Sequence, residues 1–327
     1  MMKKLTCMLT LVGAIMFGST AAAAGNIGIT YLGKLVQTDS PPIIDKGRVL
    51  IPLRVVSEAL GAKVDWSQQS QTVTIDKWMQ HMSLTLGQQV AIIEEKHANG
   101  TSKETVKLDV PVKAIHNRIY ISVRFASEHF GYRVDWADRT VSIKSPMSDR
   151  ERANLYTGDL TTARKIVIHA KTSGGGGHYE YPALETLHPT LNYDKEFLFP
   201  KGEAFRFFYI YGDETATLFE YKDDFPVATW QAHLDPYAAD PFVQLLNGRF
   251  KDATGPMPDI GGPFLYYETG FSGPTSWESS GQVGMDGKVE VRAYKNKDAA
   301  DVTHVSGTIA YSLPGEIRKE AVEIPKL

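Results

Sequence analysis

A nineteen-residue pattern occurs twice in the chain. Residues 48–66 read RVLIPLRVVSEALGAKVDW, and residues 118–136, seventy positions later, read RIYISVRFASEHFGYRVDW. Arg, Ile, Arg, Ser, Glu, Gly, Val, Asp and Trp recur at the same places, nine of the nineteen. Repetition at a constant offset is typical of one structural unit used twice. The matching residues are mostly of kinds that shape a backbone or a core, so this half of the chain is expected to be structural.

Each copy predicts the order strand, helix, strand, strand, over residues 48–75 and 118–143. A short β-rich run opens each copy, and apolar residues at helical spacing follow it. Gly61 and Gly131 then stand where the C-terminus of a helix favours a positive φ. Alternating polar and apolar residues close each copy and predict its last strand.

Three kinds of repeated residue resemble parts of a functional site. Charged pairs four positions apart on each helix predict weak ion pairs, which we interpret as fold-specific polar packing: Arg54 with Glu58, and Arg124 with Glu128. Trp66 and Trp136 end amphipathic strands, which favours a place in the core over the alternative of stacking on sugars. The histidines of this half are scattered and predict no metal site.

With these residues in view, the segment over about residues 27–145 resembles the copper amine oxidase N-terminal-like, or stalk, domain. That family is common in secreted and wall-associated proteins of Gram-positive bacteria. The resemblance implies an α+β domain, with a strongly twisted antiparallel sheet wrapped around a helix, over residues 25–146. It implies neither copper nor oxidase activity, since in the amine oxidases this domain lies away from the catalytic centre. The second copy departs from the pattern at Ser122, where the first has Pro52, and at His129 and Phe130.

The first 24 residues predict a signal peptide. Lys3 and Lys4 precede an apolar run over residues 5–17, and three alanines at 22–24 form a small-residue cleavage site. This run is too short to span a bilayer, and no later stretch approaches the roughly 20 apolar residues that do so. A retained N-terminal anchor is the alternative. The only cysteine, Cys7, lies in the cleaved segment, so the mature chain is predicted to contain no disulfide and no thiolate metal site. We therefore expect a secreted protein, and the resemblance to the stalk family implies that it is associated with the cell wall.

The charge of the mature chain argues against nucleic acid as a partner. Its 33 basic and 38 acidic residues are interleaved, without a long basic run. About 300 residues are enough for two domains, each with its own core.

The second half has a different pattern. Residues 147–163 are expected to connect the halves, and residues 164–327 predict an all-β domain, an antiparallel sandwich or jelly roll, for which no family resemblance is identified. The predicted strands alternate with polar turns such as those at 212–215 and 286–287. These strands cover residues 165–169, 205–211, 217–221, 227–230, 264–267, 288–294 and 303–311.

Aromatic residues are dense in this half, with 25 among residues 151–327. Core packing accounts for such a density, and glycan binding is the functional alternative, because a flat ring stacks on a sugar face without needing charge. The candidates for ligand binding lie on stretches predicted to be loops: Tyr266, Tyr267, Phe271 and Trp277.

Metal and redox sites are poorly supported by the sequence. His178, Glu180, Glu185 and His188 lie in or near a run of four glycines and form a weak metal-binding candidate, which lacks the two-histidine helix motif of zinc peptidases. The tripeptide 192–194 matches the quinone-forming core of amine oxidases, but there is no His-x-His copper pair. The sequence thus predicts no cofactor and argues strongly against amine oxidase activity.

These patterns favour a non-catalytic binding or structural protein in which a stalk domain presents a β-domain that recognises a ligand. The expected partners are cell-wall polysaccharide, peptidoglycan or another surface protein. One alternative is a hydrolase of wall glycan or peptide, with paired carboxylates or a metal in the C-terminal half. A structural spacer without a ligand is the other. The sequence leaves open the ligand, the oligomeric state and whether the two repeats form one domain or two lobes.

Overall fold

The structure is a computed structural model that describes residues 27–320 apart from positions 79, 98–99, 173–193, 213, 239 and 260. Within these ranges, the side chains at 56–58, 96, 97, 100, 171 and 172 are not described. The predicted signal peptide at 1–24 lies outside the described residues. So do the metal candidates His178, Glu180, Glu185 and His188.

The first half contains thirteen described strands and two helices. The strands are β1 Gly28–Tyr31, β2 Lys34–Leu35, β3 Ile43–Asp45, β4 Arg48–Pro52, β5 Lys63–Ser67, β6 Thr72–Lys77, β7 Gln80–Thr85, β8 Val90–His97, β9 Gly100–Lys107, β10 Lys113–Ile115, β11 Arg118–Ser122, β12 Arg133–Ala137 and β13 Thr140–Lys144. The helices are α1 Leu53–Leu60 and α2 Val123–His129.

Each repeat has the element order that its residues predict. The first runs β4, α1, β5, β6 and the second runs β11, α2, β12, β13. Gly61 and Gly131 have φ of 62° and 81°, the left-handed conformation with which helices commonly end. At the start of α2 the Ser122 hydroxyl accepts a hydrogen bond from the Phe125 amide at 3.4 Å. Ser122 is therefore a helix cap, where the first copy uses the fixed φ of Pro52.

The two repeats form one unit around an approximate two-fold axis. Strands β4 and β11 pair antiparallel with Ile51 opposite Ile121, which are equivalent positions seventy residues apart. The hairpin partners lie symmetrically outside them, in the order β10, β11, β4, β3. Equivalent residues pairing with each other in antiparallel strands require a two-fold relation, and both copies bury residues in one shared core. The choice between one domain and two lobes is thereby decided in favour of one domain.

The remaining strands extend the two copies differently. In the second copy β13 lies between β12 and β1, and the β1–β13 pair is parallel. In the first copy β6 continues into β7, β8 and β9, giving a five-stranded antiparallel sheet. The described strands thus form three sheets with two helices, which differs from the expected single antiparallel sheet around one helix.

The second half begins with helices rather than strands. Its helices are α3 Asp149–Thr157, α4 Leu160–Thr172 and, further on, α5 Pro241–Leu246. The strand predicted at 165–169 is wrong, because these residues belong to α4. Leu160, Ala163 and Val167 recur at helical spacing and are buried, and this spacing overrides the β-branched run at 166–168. The expected connector at 147–163 contains α3, which Ser148 and Glu151 start as a capping box.

Nine described strands follow and belong to a single sheet. They are β14 Lys195–Pro200, β15 Arg206–Tyr211, β16 Thr215–Lys222, β17 Phe225–His233, β18 Asp252–Thr254, β19 Phe264–Ser272, β20 Thr275–Val283, β21 Val289–Lys297 and β22 Thr303–Ser306. All pairs are antiparallel, and the order is β18, β17, β16, β15, β14, β19, β20, β21, β22. The half is mostly β as expected, but the predicted sandwich or jelly roll is wrong, because one sheet replaces two.

Both faces of this sheet are buried at its centre. On one face Phe197, Phe207 and Tyr209 pack in a core shared with α3 and α4. On the other, alternating residues such as Leu198 and Phe208 share a core with α5. Two buried faces account for the aromatic density of this half, because successive residues of a central strand must both be apolar.

The halves meet at the turn between β16 and β17. Phe225 is fully buried in the core of the N-terminal half, with ring centroids 5.0 Å from Trp78 and 4.9 Å from Tyr132. Beside it the Asp224 carboxylate accepts a hydrogen bond from Arg152 of α3 at 2.7 Å, with both side chains at most 5% exposed. The turn therefore fastens the nine-stranded sheet to the first half.

None of the helices within the described ranges is long and apolar enough to cross a membrane.

Candidate binding groove

The four aromatic candidates lie in strands rather than in loops. Tyr266 and Tyr267 are 4% and 6% exposed in β19, one on each face of the sheet, so they pack in the two cores and present no ring to a ligand. Phe271, near the end of β19, is 55% exposed, and Trp277 in β20 is half-buried. Ligand binding by Phe271 and Trp277 stays a prediction.

Glu268 organises the surroundings of Trp277. Its carboxylate accepts hydrogen bonds from the Trp277 indole at 2.9 Å, the Ser279 hydroxyl at 2.9 Å and the Tyr266 hydroxyl. Burial, followed by the nearby Glu268 charge, raises the pKa of Tyr266, so this phenol stays a neutral donor. These hydrogen bonds fix the position of Trp277 and are internal contacts of the sheet.

No metal-binding cluster of His, Cys, Asp or Glu occurs in the part of the chain that the structure describes. The carboxylates around the β16–β17 turn do not form a catalytic pair there either. Asp224 is engaged by Arg152, and Glu220 lies 3.3 Å from the Lys222 ammonium.

Trp66 and Trp136 are not core residues. They are 37% and 45% exposed, so the expectation of burial was wrong. Each lies on an outermost strand, β5 or β12, which has one neighbouring strand instead of two.

Trp66 forms one wall of a groove of about 520 Å³. The groove lies between the start of α1, the turn from β5 to β6 and the hairpin of β10 and β11. Leu53, Leu86 and Ile119 contribute apolar surface to it. Its polar lining comes from Arg54, Gln68, Gln71, Asn117 and Arg118.

A shared carboxylate positions the two arginines of the groove. Asp39 accepts hydrogen bonds from Arg118 at 2.9 Å and from Arg54 at 3.3 Å, while the Arg118 Nε donates to the Ser40 hydroxyl at 3.1 Å. Asp39 thus holds both guanidinium groups at the groove. On the opposite wall, the Trp66 indole donates to the Gln68 amide oxygen at 3.1 Å, which orients both side chains.

This combination suits a polar ligand with one flat, weakly polar face. The ring can stack on such a face, and the amide and guanidinium groups can bond hydroxyl, carbonyl or carboxylate oxygens. Ligand sites commonly combine a hydrophobic or aromatic wall with a few polar groups that fix orientation.

The repeated charged pairs are described in the second copy only. Arg124 and Glu128 lie 3.5 Å apart on the exposed face of α2, as their spacing predicts. Arg54 contacts Asp39, and its predicted pair with Glu58 lies outside the described side chains.

Sequence reasoning missed Asp39, Asn117 and Arg118 as groove residues. A signal for them was present, because the repeat extends upstream at the same offset, with Asp39 matching Asp109 and Pro41 matching Pro111. The structure shows its consequence. Arg118 of the second copy binds Asp39, and Arg48 of the first copy binds Asp109 at 2.7 Å, so the repeats exchange ion pairs.

Comparison with known proteins agrees with this description of the first half. A protein named "Protease inhibitor" from Brevibacillus choshinensis is 26% identical over 196 residues, which cover 58% of this chain and 55% of the relative. The chain thus spans about half the length of that relative. The alignment is longer than the first domain, so the similarity extends beyond it. Residues 31–144, which contain the two repeats, match the model of the copper amine oxidase N-terminal domain, the family that their residue pattern indicated.

Proposed function

We propose that the protein is a non-catalytic binding protein, exported and held at the cell envelope, and that the groove beside Trp66 is its ligand site. The observation that carries this proposal is a half-exposed tryptophan on one wall of a groove, facing oriented amide and guanidinium groups. The family match of the first half and the relative named as an inhibitor support a role in binding.

The ligand chemistry that fits is a saccharide of the cell wall. A sugar ring offers a flat face of C–H groups to an indole, and its hydroxyl and acetamido groups suit Gln68, Gln71 and Asn117. The guanidinium groups of Arg54 and Arg118 can also bond the carboxylates of a glycan that carries them.

The nine-stranded sheet would be presented at a fixed angle to the wall-bound domain. Phe225 fastens it to the first half through buried contacts with Trp78 and Tyr132. The signal-peptide pattern of residues 1–24 supports export.

Co-sedimentation with purified Gram-positive cell walls tests the proposal. We expect the chain to sediment with the walls and Trp66→Ala to weaken its affinity at least tenfold, about 1.4 kcal/mol. Tyr237→Ala is the matched control, since it removes an exposed aromatic ring from the other half. Retention of both variants at wild-type affinity would refute the groove as the site. A fall in wall turbidity would instead favour the hydrolase alternative, and a chelator would show whether that activity needs a metal.

Protease inhibition is a second candidate, favoured by the printed name of the relative and by an alignment that extends beyond the first domain. Strand β22 offers a suitable segment, because it is extended, lies at a sheet edge and exposes all four residues. A protease cleft can accept such a segment by strand pairing. Titration of secreted serine proteases would show activity falling to zero near equimolar protein. Unchanged activity at a large excess would rule out this function for the proteases tested.

A further inference from the structure

We infer that the first domain carries a second saccharide-binding surface, built around Trp136 and related to the Trp66 groove by the approximate two-fold axis. This inference rests on the proposed function, since it extends the same ligand class to a second site.

The two-fold relation is supported by pairings at three levels. The axis passes between Ile51 and Ile121, which pair with each other across β4 and β11. It exchanges β3 with β10, whose bounds differ by the same seventy positions. At the side-chain level it exchanges the ion pair of Arg118 and Asp39 with that of Arg48 and Asp109.

The same two-fold rotation relates Trp66 to Trp136. Both tryptophans lie on edge strands, and both pair across the hairpin with a buried valine, Val73 or Val141. The operation also takes Arg54 to Arg124 and Arg118 to Arg48, two half-exposed arginines in the second copy. Trp136 therefore has the counterparts of the aromatic and cationic groups that line the groove.

The second surface is more open than the first. The four-residue turn that carries Gln68 and Gln71 is replaced by the two-residue turn of Asp138 and Arg139. Leu86, which contributes apolar surface to the groove, follows β7, the strand that pairs with β6. In the second copy β13 pairs instead with the parallel strand β1, so Leu86 has no counterpart there. The greater exposure of Trp136, 45% against 37%, agrees with the loss of these walls.

Two sites on one domain matter for a polymeric ligand. Each site alone needs only modest affinity, because binding at one raises the effective concentration of polymer at the other. A wall glycan repeats the same unit, so it satisfies both sites without a second kind of ligand. Short fragments would show two independent sites, whereas intact walls would show avidity.

The stoichiometry of binding tests the second surface. The probe is a set of soluble glycan fragments released from purified Gram-positive walls by a muramidase, titrated calorimetrically into the full chain. We expect two fragments per wild-type chain, one for Trp66→Ala, one for Trp136→Ala and none for the double variant. On intact walls, each single variant should lose at least tenfold in affinity.

Controls separate a lost site from a lost fold. Trp136→Phe keeps a ring on β12 and should retain two fragments per chain, while circular dichroism and the Tm confirm that each variant is folded. One fragment per wild-type chain, with Trp136→Ala unchanged and Trp66→Ala inactive, would overturn the second surface and leave the proposed function standing. Wild-type binding by both single variants would overturn the second surface and the proposed groove together.

Discussion

Arg164 and Glu316 form an ion pair in which both side chains are 0% exposed. The guanidinium donates to both carboxylate oxygens at 2.8 Å and also to the carbonyl oxygens of Pro200 and Glu203. Glu316 further accepts the amide hydrogen of Gly202 at 2.7 Å. Since a buried charge is tolerated only when it is paired and bonded, this residue pair joins α4 to the C-terminal segment.

Replacing Glu316 by Gln should destabilise the protein by about 3–5 kcal/mol, because an uncompensated guanidinium would stay buried. Urea unfolding followed by fluorescence measures the change. Glu290→Gln is the control, since the pair of Glu290 with Arg292 is exposed and should contribute less than about 1 kcal/mol. Equal losses from the two changes would contradict this account.

The same carboxyl predicts part of the acid sensitivity of the fold. Burial acts to raise the pKa of Glu316, but the hydrogen bonds from Arg164 and the Gly202 and Leu313 amides together lower it below its usual 4.5. A lowered folded-state pKa gives stability that is present above pH 4.5 and is lost as pH falls through the folded value. The free energy of unfolding of Glu316→Gln, measured from pH 6 to pH 3, should therefore fall less than that of the wild type. A parallel fall in both proteins would contradict the assigned pKa.

At the scale of elements, Lys77 connects the end of β6 with the end of α1. Its ammonium donates a hydrogen bond to the Leu60 carbonyl, near the turn at Gly61, and lies 4.0 Å from the centre of the Trp78 ring. Only 8% of the residue is exposed, and burial lowers its pKa to about 8, while the Asp223 charge acts in the opposite direction. The charged form therefore carries a cost in the folded state.

This lowered pKa predicts a rise in stability with pH. The cost of charging Lys77 in the fold is present below pH 8 and is relieved as pH rises from 8 towards 10.5, where the unfolded side chain loses its proton. In Lys77→Met, the unfolding free energy measured in urea at several pH values should lack this rise. Lys63→Met, which removes an exposed lysine whose pKa is raised by its hydrogen bond to Asp65, should keep the rise. Loss of the rise in both variants would disprove the assignment to Lys77.

At the scale of the molecule, the β16–β17 turn makes the two halves thermodynamically dependent on each other. Phe225 belongs to the core of the first half although its strand belongs to the sheet of the second. The first half therefore completes its core only when the sheet of the second half is formed.

Calorimetry of Phe225→Ala tests this dependence. We expect one unfolding transition for the wild type and two for the variant, because truncating a buried phenylalanine costs about 3–5 kcal/mol and here removes the largest side chain that the second half places in the core of the first. Phe271→Ala, at an exposed ring, should keep a single transition near the wild-type Tm. A single transition in Phe225→Ala would show that other contacts couple the halves.

Predictions from local sequence were confirmed where a residue type is suited to only one backbone conformation. Gly61 and Gly131 predicted helix ends because few other residues accept a positive φ without strain. The run at 165–169 was wrongly predicted as a strand because β-branched residues occur in strands and in buried helices alike. In the structure this segment is helical and packs against the sheet, with Ala163 in the shared core. The upstream extension of the repeat pointed to Asp39, but the groove itself could not be located from the sequence, because Asp39 and Arg118 lie 79 positions apart and meet only through the two-fold pairing.

The sequence by itself determined the duplication, the order of elements in each copy and the match of residues 31–144 to a known family, because these depend on local spacing. The tertiary structure decided how far each tryptophan is exposed, how the copies pair and that nine strands make one sheet. Strand neighbours and side-chain burial depend on residues far apart in the chain, which no local pattern records. The candidate site belongs to this second class, since its walls come from both copies.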